Sequence, residues 1–133
     1  MIIDDQKEIL AIREAALESL GYSVISATNS KDAIKMLQQN HVDAVLVEYK
    51  QEGIDAEAVA FHLKAHAPKV PIILLSAYSD MSERILWLVD EFVMKSAPIE
   101  ELVEIIERSY AKLPPAKPIT SQKLEVRRMS ASA

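Results

Sequence analysis

Two short apolar stretches decide how this chain can fold: residues 43–48 read DAVLVE, and residues 70–76 read VPIILLS. Unbroken apolar runs of this length are typical of strands that a parallel sheet buries on both faces. Each run ends in a polar residue, Glu48 in the first and Ser76 in the second. The sequence therefore predicts two buried strands, at 44–47 and 70–75, with polar side chains at their carboxyl ends.

Helical patterns alternate with these two strands and with weaker strand patterns. Apolar residues recur at helical spacing from Gln6 to Leu20, and Gly21 follows, where a helix commonly leaves through a left-handed residue. Further helices are predicted behind the cap Ser30, over 56–67, over 80–89 and over 98–111, and further strands at 22–27 and 92–94. Only three residues precede the pair Asp4-Asp5, so the first strand is expected to be clipped or to begin upstream.

This alternation predicts an α/β fold. A parallel sheet with helices on both faces is the architecture that alternating strands and helices form. The right-handed crossover rule leaves few topologies, and the flavodoxin-like strand order 2-1-3-4-5 is the common solution at this size. We therefore expect a doubly wound, five-stranded parallel sheet.

The composition is that of one small globular domain. Of the 133 residues, 50% are hydrophobic and 26% are charged, which is enough for a single core. There is no cysteine, which excludes disulfides, thiolate metal ligands and a cysteine nucleophile. No stretch approaches the ~20 apolar residues of a membrane span, and no basic leader opens the chain. We therefore expect a cytoplasmic protein with no membrane partner.

The charge is unevenly distributed between two segments. Residues 1–111 carry ten Lys or Arg and nineteen Asp or Glu, whereas residues 112–133 carry five and one. The first segment is predicted to be the folded domain, and its net negative charge argues against nucleic-acid binding. The second is predicted to be a disordered, proline-containing basic tail, although contact with an acidic partner is left open.

Polar residues follow four of the predicted strands. They are Asp4 and Asp5, Glu48, Ser76 and Lys95. Because ligands of such sheets bind outside the carboxyl ends of the strands, these side chains should converge in one site. Three carboxylates that lie close together need a cation, which a lysine or a hard divalent ion supplies.

Magnesium is the metal that this donor set favours, since it prefers oxygen ligands. The predicted ligands are Asp5, Asp4 through a water molecule, Glu48, and a backbone carbonyl near Lys50. In addition, Lys50 lies two residues after Glu48, so its ammonium is a candidate replacement for part of the cation's charge; the alternative is a solvated surface lysine.

These residues resemble the response-regulator receiver family of two-component signalling. The resemblance covers residues 1 to about 111, through Asp4-Asp5, the stretch 43–48 with Gly53 behind it, IILLSAY at 72–78, and FVMK at 92–95. It implies that an acidic pair holds magnesium and that a residue ending the third strand accepts a phosphoryl group from a histidine kinase. By position, these roles fall on Asp4 and Asp5, and on Glu48.

The resemblance also implies switch residues and partners. A serine or threonine and a lysine read the phosphorylated state, and an aromatic residue on the fifth strand moves with it. By position, these are Ser76, Lys95 and Phe92. The implied partner is a signalling protein, either a histidine kinase or a downstream effector, and pairing of two copies into a homodimer is a further implied assembly.

Glu48 departs from the family pattern, which has aspartate at this position. One more methylene moves the carboxylate ~1.5 Å farther from the strand, and a misplacement of about 1 Å already costs ~100-fold in a positioned reaction. We therefore predict a pseudo-receiver, not an enzyme, with weak magnesium binding. The alternatives left open are a phosphorylation-competent receiver and, less favoured, a flavodoxin-like cofactor binder.

Two further expectations concern the fourth helix. Ser76 and Lys95 are nineteen positions apart, a few fewer than is usual in the family, so the fourth helix or the loop behind it must be trimmed. Trp87 lies among apolar neighbours on this helix and is predicted to pack in the core or in an interface. His62 and His66 lack the pattern of a metal site and are predicted to be surface residues.

Overall fold

Five parallel strands form one sheet in the computed structural model, which describes residues 1–49 and 53–111. The strands are β1 (Ile2–Ile3), β2 (Ser26–Ala27), β3 (Val45–Glu48), β4 (Ile72–Ser76) and β5 (Glu91–Met94). Their order across the sheet is β2-β1-β3-β4-β5, and every pair is parallel. The predicted flavodoxin-like fold class is confirmed. Lys50 and the tail at 112–133 lie outside the described residues.

In the described part of the chain, five helices cover the two faces of this sheet: α1 (Lys7–Ser19), α2 (Ser30–Gln39), α3 (Ala56–His66), α4 (Glu83–Leu88) and α5 (Ile99–Ala111). Alternate strand residues point to opposite faces. Val45 and Val47 of β3 join the core cluster that includes residues of α2, α3 and α4, whereas Leu46 joins the cluster that includes residues of α1 and α5. None of the described helices is both long enough and apolar enough to cross a membrane.

The second strand and the second helix differ from the prediction at their ends. Of the strand predicted at 22–27, only Ser26 and Ala27 pair in the sheet, because β1 offers just two residues as partners. Ser30 is the first residue of α2 and not its cap; Asn29 caps it by accepting a hydrogen bond from the backbone N–H of Asp32 at 2.8 Å. Asn29 has extended backbone angles, as an N-cap residue requires.

The fourth helix is short, as the spacing between Ser76 and Lys95 predicted. It begins behind Ser82, whose hydroxyl accepts a hydrogen bond from the N–H of Ile85 at 3.3 Å, so the predicted start at residue 80 is wrong. Its six residues bury one side chain, Ile85. Trp87 is 85% exposed, so core packing of Trp87 is excluded and a contact with a partner stays a prediction.

Ile85 is therefore the one buried side chain by which α4 packs on the sheet, and the partly buried Leu88 packs against the same core cluster. We predict that Ile85→Ala lowers the free energy of unfolding by about 2–4 kcal/mol, because it leaves a cavity at a fully buried site. The measurement is urea unfolding followed by far-ultraviolet circular dichroism. Leu86→Ala is the matched control: Leu86 is 46% exposed, and its loss should cost less than ~1 kcal/mol. Equal losses in both variants would contradict this account of α4.

Candidate functional site

The carboxyl ends of the strands bring the predicted polar residues together. Asp4 follows β1, Glu48 ends β3, and Ser76 ends β4. The register pairs Ile3 with Val47, which sets Asp4 level with Glu48 on the neighbouring strand. The backbone N–H of Lys95 donates to the carbonyl of Ser76 at 2.7 Å. The side chain of Lys95 therefore extends from the carboxyl end of β5, beside the end of β4.

Lys95 is the cation that joins the two buried carboxylates. Its Nζ atom lies 3.2 Å from Oε1 of Glu48 and 3.4 Å from Oδ2 of Asp4. Asp4 and Glu48 are both fully buried, whereas the lysine side chain is 12% exposed. A buried carboxylate is tolerable only when it is paired and hydrogen-bonded, and one ammonium here serves two of them. Lys95 also donates a hydrogen bond to the side-chain carbonyl of Gln6.

Arg13 is a second cation in the site, and the sequence interpretation missed it. Its Nη1 atom lies 3.1 Å from Oδ2 of Asp4, and its Nη2 atom donates to the backbone carbonyl of Lys95 at 3.2 Å. Arg13 belongs to α1, three residues after the buried Leu10 and four before the buried Leu17. A charged residue within the buried stripe of a helix was the available signal, since such a residue needs a partner of opposite charge.

The carboxylates of Asp4 and Asp5 are not both available to bind a metal ion. Oδ1 of Asp4 accepts the backbone N–H of Gln6 at 2.9 Å, while its Oδ2 faces both cations. Oδ1 of Asp5 is buried without a hydrogen-bond partner. Within residues 1–49 and 53–111, no group of three or more histidine, cysteine, aspartate or glutamate side chains is arranged to hold a metal ion. The guanidinium of Arg13 and the ammonium of Lys95 already contact the Asp4 oxygen that a magnesium ion would need. This arrangement therefore does not fit magnesium.

The metal ligands named from the sequence are therefore not assembled as one group. The backbone carbonyl near Lys50 lies outside the described residues. The roles of Asp4, Asp5 and Glu48 as magnesium ligands stay predictions, and the free oxygen of Asp5 is the feature that supports them.

Ser76 closes a tight turn after β4. Its Oγ atom donates to the carbonyl of Tyr78 and accepts the N–H of the same residue, each at 2.9 Å. A serine hydroxyl has one proton, so a hydrogen bond donated to an oxyanion near Glu48 requires this hydroxyl to rotate. The structure thus places Ser76 at the site, buried, and its switch role stays a prediction.

Phe92 lies on the side of the sheet that α4 covers. It is partly buried and packs against the core cluster of that face. It pairs in register with Leu74 of β4, two residues before Ser76. Phe92 is thus near the trimmed helix, and its movement with the state of the site stays a prediction.

A cavity of about 370 Å³ opens beside the two cations. Its walls come from α1, from the segment after β4 and from the end of β5, and they are Gln6, Ile9, Arg13, Ala77, Met94, Lys95 and Ser96. Both cations therefore lie between the buried carboxylates and an open groove.

The Glu48–Lys95 pair predicts a coupled loss of stability. We expect Lys95→Met to lower the free energy of unfolding by about 3–5 kcal/mol, because it leaves buried carboxylates without their ammonium. Adding Glu48→Gln to Lys95→Met should recover part of this loss, giving a clear coupling energy in a double-mutant cycle of urea unfolding. Lys64→Met is the control: its ammonium lies 3.9 Å from Asp90 on the surface, and its loss should cost less than ~1 kcal/mol. Additive losses would contradict the pair.

Comparisons with known proteins agree on one family. The family model "Response regulator receiver domain" matches residues 1–107. The chain is 33% identical over 105 residues to the probable transcriptional regulator ycf27 of Porphyridium aerugineum, covering 77% of this chain and 43% of that protein. It spans at most half the length of the curated relatives it matches.

Solved structures give the same result. The response regulator TrrA of Thermotoga maritima, solved with Mg²⁺-BeF, is 30% identical with a TM-score of 0.75, over 81% of this chain and 95% of that one. TrrA was also solved in complex with the histidine kinase ThkA; that match has 30% identity and a TM-score of 0.73, over 81% of this chain and 94% of that one.

Proposed function

Because the chain belongs to the response regulator receiver domain family, we propose that it is an atypical receiver that signals by contact with a partner protein. Glu48 stands at the position of the phospho-accepting aspartate, and no phosphoryl transfer to it is expected. The domain contributes no catalytic residue in this proposal. The single observation that carries it is the ion pair of 3.2 Å between the buried Glu48 and Lys95.

The longer side chain of Glu48 supports the proposal that its carboxylate partly mimics a phosphorylated aspartate. Its carboxylate already contacts the lysine that the family uses to read the aspartyl phosphate. It carries a charge of about −1 and two oxygens, whereas a phosphate carries roughly −1.5 to −2 and three acceptor oxygens. Ser76 completes the set of reading residues by position, although its hydroxyl donates to Tyr78. The domain is thus held in one signalling state by its own side chain.

The proposed partner is a signalling protein, either a histidine kinase or a downstream effector. The solved complex of TrrA with ThkA supports a kinase, and the names of curated relatives as transcriptional regulators support an effector. The exposed Trp87 on α4 supplies a candidate contact residue. Pairing of two copies stays a prediction.

Magnesium binding by this chain is proposed to be weak. The TrrA structure with Mg²⁺-BeF supports a metal in the family, and the free buried oxygen of Asp5 supports a residual ligand here. The pairing of Asp4 with two cations opposes it.

A phosphorylation test separates this proposal from a working receiver. The chain, Glu48→Asp and Glu48→Gln are incubated with a small-molecule phosphodonor and a large excess of magnesium, which compensates for weak binding of the metal, and intact mass is measured. We expect a phosphoryl adduct in Glu48→Asp alone, because the shorter acid restores the family's acceptor geometry. Glu48→Gln controls for adducts elsewhere. A stoichiometric adduct on Asp or Glu in the unchanged chain would overturn the proposal and favour a phosphorylation-competent receiver.

A further inference from the structure

Arg13 is a residue of the site to which the family resemblance assigns no role. We propose that Arg13 is a built-in counter-ion of the acidic pocket: its guanidinium holds Asp4 in place of a divalent cation and thereby weakens magnesium binding. It rests on the weak magnesium binding proposed above and names the residue that causes it, whether or not Glu48 accepts a phosphoryl group.

The contacts of Asp4 carry the first step. Both of its carboxylate oxygens are engaged, Oδ1 by the backbone N–H of Gln6 at 2.9 Å and Oδ2 by the guanidinium of Arg13 at 3.1 Å. Lys95 adds its ammonium at 3.4 Å from the same Oδ2 atom. A metal ion that used Asp4 would have to take an oxygen from one of these donors.

The anchoring of the guanidinium carries the second step. Arg13 makes two contacts in different directions, one to Asp4 after β1 and one to the backbone carbonyl of Lys95 after β5. Its side chain is 12% exposed, so it rests against protein on most sides. A planar guanidinium that two partners hold in place loses little conformational freedom for each hydrogen bond it forms. It is therefore a positive charge in a fixed place.

The charge balance carries the third step. With the carboxylates ionised, Asp4, Asp5 and Glu48 supply three negative charges, and Arg13 and Lys95 supply two positive ones. Magnesium dehydrates reluctantly and binds where carboxylates offer it an uncompensated negative charge. Two cations within 3.4 Å of the same carboxylate oxygen remove most of that attraction, and they would also repel the incoming ion at short range.

The test compares magnesium affinity with and without the guanidinium. Isothermal titration calorimetry with magnesium chloride on the full chain and on Arg13→Gln should show at least about tenfold tighter binding in the variant, because a unit charge only a few ångströms away has been removed. A second readout is thermal unfolding in chelator and in magnesium. The metal should raise the unfolding midpoint of Arg13→Gln more than that of the unchanged chain, since it stabilises the form that binds it.

Arg108→Gln is the matched control. Arg108 is likewise paired with a carboxylate: its Nε and Nη2 atoms each lie 3.2 Å from an oxygen of Glu91. Glu91 is the first residue of β5, so this pair lies at the opposite end of the strand from Lys95. The control removes the same charge from the domain and should leave magnesium affinity unchanged. Equal tightening in both variants would mean a general charge effect and would overturn the inference, as would unchanged affinity in Arg13→Gln.

Arg13→Met covers the case in which the glutamine variant does not fold. Methionine keeps an apolar stem along the walls that Ile9 and Leu102 contribute to the adjoining groove, and it should show the same tightening. If both variants are unfolded in chelator, excess magnesium should restore their circular dichroism, because the metal takes the place of the guanidinium. Failure of magnesium to restore either one would overturn the inference.

Discussion

Neutralisation of buried carboxylates at the strand ends is the constraint on which this site depends. Asp4 and Glu48 are fully buried, and a charge in that position destabilises a fold unless an opposite charge lies against it. Lys95 meets this requirement for both residues at once. Since β4 lies between β3 and β5, the lysine must extend past the end of β4 to reach them. The strand order of the sheet and the position of Lys95 directly after β5 together allow one lysine to neutralise both carboxylates.

The sequence was sufficient for the fold because the pattern was local. Apolar runs and a glycine with positive φ at Gly21 each act within a few residues, and each is where it was expected. The strand-end residues also followed from sequence, because parallel strands place their carboxyl ends on one edge. One error depended on a neighbouring strand: β2 is as short as its partner β1. The other errors were at helix starts, where Asn29 and Ser82 cap α2 and α4 and several nearby polar residues compete for the cap position.

Arg13 shows the limit of reasoning from strand ends. The residues of the site were sought where strands stop, and Arg13 comes instead from the second turn of a helix packed on one face of the sheet. Its partner Asp4 is nine residues away, and the carbonyl it also contacts is 82 residues away. Only the packing of α1 against the sheet brings these groups together. Helical periodicity alone indicates a charged residue on the buried face of α1 and does not identify its partner.

The exposed Trp87 has a practical consequence for spectroscopy. The chain contains one tryptophan, and this residue is 85% exposed on α4, on the face of the sheet opposite to the α1 helix that carries Arg13. Its emission therefore reports whether water or another molecule covers that helix. For the same reason, the colour of its emission should change little when the chain unfolds, whereas a bound protein that shields the ring should shift it to shorter wavelength.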